Sequence, residues 1–211
     1  DADIEILELE VKLFLYRVIH LNMQAFHLKP NPVLESRFEA FHKNSLFENA
    51  IHFAEQYPLI KRIAGAIFLF DVRFSEQTLK QETRSKLLQL ISSARNAMHA
   101  AKGIKDIMDN KTALSNSINE AKFENYLQFQ LRQEKFYQEL NLIFLHKANK
   151  GAYDALQQLL ALAEKQYQEE ISEAYSNTSM SIQAFDIATL FNMNRELYSS
   201  NKAMVLALKD F

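Results

Sequence analysis

The stretch that decides the fold is ARNAMHAAKGIKDIMD at residues 94–109, because a second version of it, NRELYSSNKAMVLALKD, fills residues 194–210. Arg95 stands over Arg195, Lys102 over Lys202 and Ile104 over Met204, each pair at the same offset of one hundred positions. Small residues occupy the middle of both strings, Ala100 and Ala101 over Ser200 and Asn201. A repeat inside a chain of 211 residues reads as two related halves. Residues 1–110 and 118–211 are then pseudo-repeats within one domain spanning 1–211, and each copy is the last long helix of its half.

Composition agrees with an all-α body. Three glycines and three prolines leave too little turn material for a sheet protein of this length. A hydrophobic content of 48% with 24% charge is that of a globular chain able to bury a core. The formal charge of −2 argues against a broadly basic nucleic-acid surface. With no cysteine there is neither a disulfide framework nor thiolate chemistry. The longest apolar run, residues 63–70, is far shorter than the ~20 residues that span a bilayer. Asp1, Asp3 and Glu5 put acid where a secretory leader needs base, so no signal peptide is expected. The first residue is not methionine and the pattern is still helical at Phe211, so the chain is expected to be a piece of a longer protein.

Apolar spacing outlines the helices. Leu7, Val11, Phe14, Val18, Leu21, Ala25 and Leu28 alternate steps of four and three, a seam along a first helix that Pro30 and Pro32 are expected to stop. A second run covers 33–56 and is broken or kinked at Pro58; a third, 59–74, carries Ile63, Ala66, Ile67 and Phe70, with Ser75 as a cap. The helix over 80–110 places Leu87, Ile91, Ala94, Met98 and Ala101 on one stripe. Residues 111–119 read as the polar break between the halves. Tyr126, Phe129, Phe136, Leu140 and Ile143 mark the next helix, expected to stop near Gly151. Leu156, Leu160, Ala163 and Tyr167 mark another over 152–175, followed by a turn and cap at Ser176–Ser179. Phe185, Thr189, Met193, Leu197, Met204 and Leu208 line the last. The expected plan is two units of three long helices, the first with a kinked or broken middle helix, packed nearly antiparallel.

Motifs that carry chemistry are sparse. A di-metal bundle needs two Glu-x-x-His pairs and two further glutamates. Glu39–His42 is the single such spacing, with Glu48 and His52 nearby, and His20 and His27 share a face with no acid between them. Glycine-rich phosphate loops and nucleophile elbows are absent. The residues that stand out are cations beside the apolar stripes: Arg95 and Lys102 on one last helix, and Arg195, Lys202 and Lys209 on the other, all at spacings of seven. Two roles are open to them. One is pairing with acids such as Glu8, Glu10, Glu124 or Glu134; the other is a face for an anion or an acidic partner.

At the same two strings the chain resembles the PhoU domain, a family of two pseudo-symmetric three-helix units with a signature on the last helix of each. Ala94-Arg95 and Asn194-Arg195 match the start of that signature. Residues 95–107 and 194–203 are most similar to the divergent PhoU-like domain at the cytoplasmic C-terminus of bacterial type II sodium/phosphate cotransporters. Standard members bind metal clusters through acids of both signatures, where this chain has Met98, Lys102, Tyr198 and Lys202. Ammonium groups cannot replace carboxylates around hard cations. A shifted register would offer only Asp106 or Glu196, one acid per repeat, so neither a metal nor any other cofactor is carried over. The resemblance implies a non-catalytic regulatory or coupling domain of a sodium-dependent phosphate transporter, at the cytoplasmic face of the inner membrane. Its partner would be the transmembrane domain of the same chain or a second copy in a homodimer, with no nucleic acid and no membrane insertion of this segment. The alternatives are a free-standing PhoU-like adaptor in phosphate signalling and a ferritin-like metal-dependent enzyme.

Overall fold

A computed structural model describes residues 2–43, 45–75, 78–176 and 184–211. These residues form helices and no strand: α1 (Ala2–Ala25), α2 (Pro32–His42), α3 (Phe53–Ser75), α4 (Gln81–Ser115), α5 (Glu120–Leu145), α6 (Ala152–Ser176) and α7 (Ala184–Asp210). The all-α class read from the sequence is therefore the observed one.

The seam of α1 is buried from Leu7 through Ala25, with Leu7, Val11, Phe14, Val18 and Leu21 fully enclosed. The helix ends before its prolines are reached. His27 adopts a left-handed φ of 56°; its N–H bonds the Gln24 carbonyl and the Leu28 N–H bonds that of Met23, both at 3.0 Å. This is a Schellman stop with histidine where glycine is usual, and it leaves Leu28 beyond the helix. Asn31 then caps α2, its side chain accepting from the Val33 and Leu34 N–H groups, with Pro32 in the first turn, where a missing donor costs nothing.

The middle helix of the first half is broken between the end of α2 at His42 and the start of α3 at Phe53, before Pro58 is reached. Glu55 starts α3 by accepting from the N–H groups of Ile51 and His52 at 2.9 and 3.1 Å. Pro58 lies inside the helix. The carbonyl that Pro58 leaves without a donor belongs to Ala54, and both residues are exposed, so water can take the place of the lost bond.

The polar stretch 111–119 is also not the break expected of it. α4 continues to Ser115, because Lys111 is 6% exposed and donates to the Ala25 carbonyl at 3.0 Å, capping the end of α1. Only residues 116–119 connect the halves, and Asn119 caps α5. α5 stops at Leu145, short of Gly151, which has no left-handed φ. Met98 is half-buried rather than enclosed. Of the cap cluster at Ser176–Ser179, Asn177 onward lies outside the described residues, as do the side chains of Ser75, Ser176 and Phe185.

α4 and α7 run antiparallel at the centre and share the largest helix contact. α3 flanks α4, α6 flanks α7, and α1 lies along α4. α5 lies over the central pair and meets α1, where Asn22 Nδ2 donates to the Tyr137 hydroxyl at 2.9 Å. One large cluster of buried apolar side chains runs through the bundle, and a smaller one, containing Phe26, Ile107, Phe129 and Met193, closes the end near residue 114. One face of the central pair is left open to solvent.

Candidate functional site: the α4–α7 face and the cleft beside it

The two repeated strings meet each other. Ser200 Oγ donates to the Ala100 carbonyl at 2.8 Å, and His99 Nε2 lies 3.3 Å from Ser199 Oγ, each pair one hundred positions apart. Towards one end, Ser93 Oγ donates to the Ala207 carbonyl at 2.7 Å, while Ser92 Oγ and Asn96 Nδ2 converge on Asp210 Oδ2 at 2.6 and 3.0 Å. Close approach requires small side chains, and Ala94, Ala97, Ala100 and Ala101 are fully buried. At Gly103 an added Cβ would stand 3.3 Å from Ser200 Cβ and 3.4 Å from the Glu196 carbonyl.

Arg95, His99, Lys102 and Asp106 are exposed along one stripe of α4; Arg195 and Lys202 are exposed along the stripe of α7 that abuts it through His99 and Ser199. Four of the five sequence-predicted cations thus share the open face. Arg95 leans towards α3, 3.8 Å from Asp71 Oδ2 and 5.7 Å from the Phe68 ring. Lys102 donates to Asp106 Oδ2 at 2.6 Å, and that bond holds its ammonium above the ordinary lysine range. Arg195 donates to Asn192 at 2.8 Å and to Glu196 at 3.2 Å. Lys202 makes no hydrogen bond or ion pair among the described residues. Lys209 turns aside, 4.9 Å over the Tyr153 ring of α6. The acids that meet these cations are Asp71, Asp106 and Glu196, whereas Glu8 pairs with Lys86. Exposed pairs of this kind contribute only about 0–1 kcal/mol each, which leaves the face chemically free to exchange its partners for those of another protein.

Sequence reading missed a polar cleft between α5, α6 and α7. Arg132 forms an ion pair with Glu170, reaches Asn194 Oδ1 at 3.4 Å and lies 4.7 Å over the Phe129 ring. Burial lowers its pKa to about 10, with Glu173 opposing the shift. Gln133 and Asn201 exchange two buried hydrogen bonds at 3.1 and 2.8 Å. At the mouth the rings of Tyr167 and Tyr198 stack 4.8 Å apart. The signal was present in the strings: Asn194 and Asn201 stand where the first copy has Ala94 and Ala101. α7 therefore carries carboxamides inward at the positions where α4, one hundred residues earlier, carries methyl groups. Arg132 with Glu170 and Gln133 with Asn201 thus satisfy polar groups that would otherwise be costly to bury.

Glu39 is held by Lys43 at 3.0 Å, and the His42 ring lies 6.2 Å from that of His20. Among the described residues no group of three or more His, Asp and Glu is placed to hold a metal ion, and no helix is long and apolar enough to cross a membrane.

No family model, curated protein or solved structure matches the chain.

Proposed function

We propose that this bundle is a PhoU-like regulatory domain that couples to a sodium-dependent phosphate transporter and acts through protein contact rather than catalysis. The reading rests on the signature-like strings and on one structural observation, the antiparallel pairing of the last helices with Ala100 against Ser200 and His99 beside Ser199. Two units joined through equivalent helices are what the family resemblance implies. The open face around His99 and Ser199 is the contact surface in this reading, with Arg95, Lys102, Arg195 and Lys202 meeting acidic groups on the cytoplasmic side of the transporter. Rim charges of this type set partner choice and association rate more than raw affinity.

The test is a photo-crosslinker at Lys202 in cells expressing the natural gene, together with sodium-dependent phosphate uptake by the Arg95→Glu/Lys202→Glu variant. A crosslink to a phosphate transporter, with altered uptake and an unchanged unfolding temperature of the bundle, supports the proposal. Unaltered uptake without a crosslink overturns it.

A further inference from the structure

We propose that the groove between α1, α2 and the ends of α5 and α7 binds a single-chain organic anion, an apolar tail with a carboxylate head of the fatty-acid class. The groove encloses about 270 Å³, just below the range typical of small-ligand pockets, ~300–1,000 Å³. Its floor is apolar: Leu34, Phe38 and Phe144 are buried there. α2 forms one wall, held by the stack of Phe38 on Tyr16 at 4.3 Å and by Phe38 against Phe144 at 6.2 Å. At the mouth, Leu9 and Phe41 remain 45% and 46% exposed, two large apolar side chains facing the same opening.

The rim is of one sign. Among the described residues, Lys12, Arg37 and Lys147 line the groove and no acid does. Arg37 spends one N–H on the Leu145 carbonyl at 3.4 Å, leaving the rest of its planar fork for a carboxylate. Lys147 is half-buried, 5.7 Å from the Phe211 ring. Asp210, whose charge acts on Lys147, is held by Ser92 and Asn96, and Glu8 pairs with Lys86. An apolar floor beneath a rim of three cations matches a ligand with both properties at its two ends. An acidic amphipathic helix would instead need a row of apolar anchor sites, and this cavity is a single compact one. None of the residues lining the groove is one of the face residues Arg95, His99, Lys102, Arg195, Ser199 or Lys202, so the inference stands independently of the proposed function.

Decanoate, below its micelle concentration, is the probe, with decanol and acetate as the tail-only and head-only controls. Calorimetric titration of the whole chain is expected to show saturable one-to-one binding of decanoate, at least about tenfold weaker binding of decanol, and none of acetate. Arg37→Gln/Lys147→Gln should weaken decanoate about tenfold and leave decanol unchanged, while Phe41→Ser should weaken both. Unliganded thermal unfolding checks that each variant is folded, and Lys12→Gln serves in place of the double variant should that one unfold. Absence of saturable binding overturns the proposal. So does binding that survives all these substitutions, which is detergent-like adsorption, or acetate binding as tightly as decanoate, which is a simple anion site.

Discussion

The hydroxyl of Ser200 donates to the backbone carbonyl of Ala100 at 2.8 Å, and these two residues occupy the same place in the two copies of the repeated string. Contact between positions one hundred apart is what a pseudo-two-fold relation between two units would give, as in an isologous contact between subunits. Here both sides belong to one chain, and the closeness of the approach depends on alanine, serine and glycine.

Gly103→Val tests that closeness. A Cβ already falls 3.3 Å from Ser200 Cβ, so two further methyl groups must push α7 away. The expected loss is about 1–3 kcal/mol in chemical denaturation, as for other overpacked interiors. A loss below about 0.5 kcal/mol, within the range of ordinary surface changes, would show that the seam opens freely.

The carboxamide pair beneath the second string should behave as a unit. Gln133 and Asn201 are 2% and 8% exposed and satisfy one another. Asn201→Leu alone strands a buried amide and should cost about 1–3 kcal/mol. Gln133→Leu/Asn201→Leu should recover much of that loss, giving a coupling energy of about 0.5–3 kcal/mol in a double-mutant cycle. Simple additivity would mean that the two side chains act separately.

Lys111→Met keeps the buried stem and removes the ammonium that caps α1 at the Ala25 carbonyl. The stranded carbonyl and the lost charge at a helix C-terminus together should lower stability by about 1–3 kcal/mol. Denaturant unfolding at neutral pH measures it; a neutral or stabilising change would show that the cap contributes nothing.

Acid should weaken the fold through His20. Burial first, and then the neighbouring His42, lower its pKa, while Glu35 opposes them. The unfolded chain, with an ordinary histidine pKa of about 6.5, therefore takes up a proton before the folded chain does. Stability is complete above that pH, falls as pH drops through about 6.5 and levels off below the folded-state value. Thermal unfolding should lose more between about pH 7 and pH 5 in the native chain than in His20→Asn. Parallel losses would assign the effect to other groups.

Helices were legible wherever one apolar face dominates, as along Leu7 to Leu21, and the repeated strings marked the two helices that meet at the centre. The misplaced boundaries share a physical cause. Pro58 reads as a break because sequence cannot show that Ala54 faces water, and Lys111 reads as solvated because its acceptor, the Ala25 carbonyl, is eighty-six positions away. His27 gave no stop signal, since a left-handed φ is uncommon for any residue but glycine. For the site, outward cations were visible at spacings of seven. The inward pair Asn194 and Asn201 needed Arg132 and Gln133, which only the packing of α5 supplies.

The offset of one hundred has no physical weight of its own. Residues added or removed in the turns at 116–119 or 146–151 would change that number and leave Ala100 against Ser200, because both turns lie outside the seam. Lengthening α4 by one residue between Ser93 and Ala100 is different: it would rotate one end of the helix by about 100° and swing Ser93 away from Ala207. Homologous chains should therefore vary in length freely at the turns, while the number of residues from 93 to 103 and from 196 to 207 stays fixed.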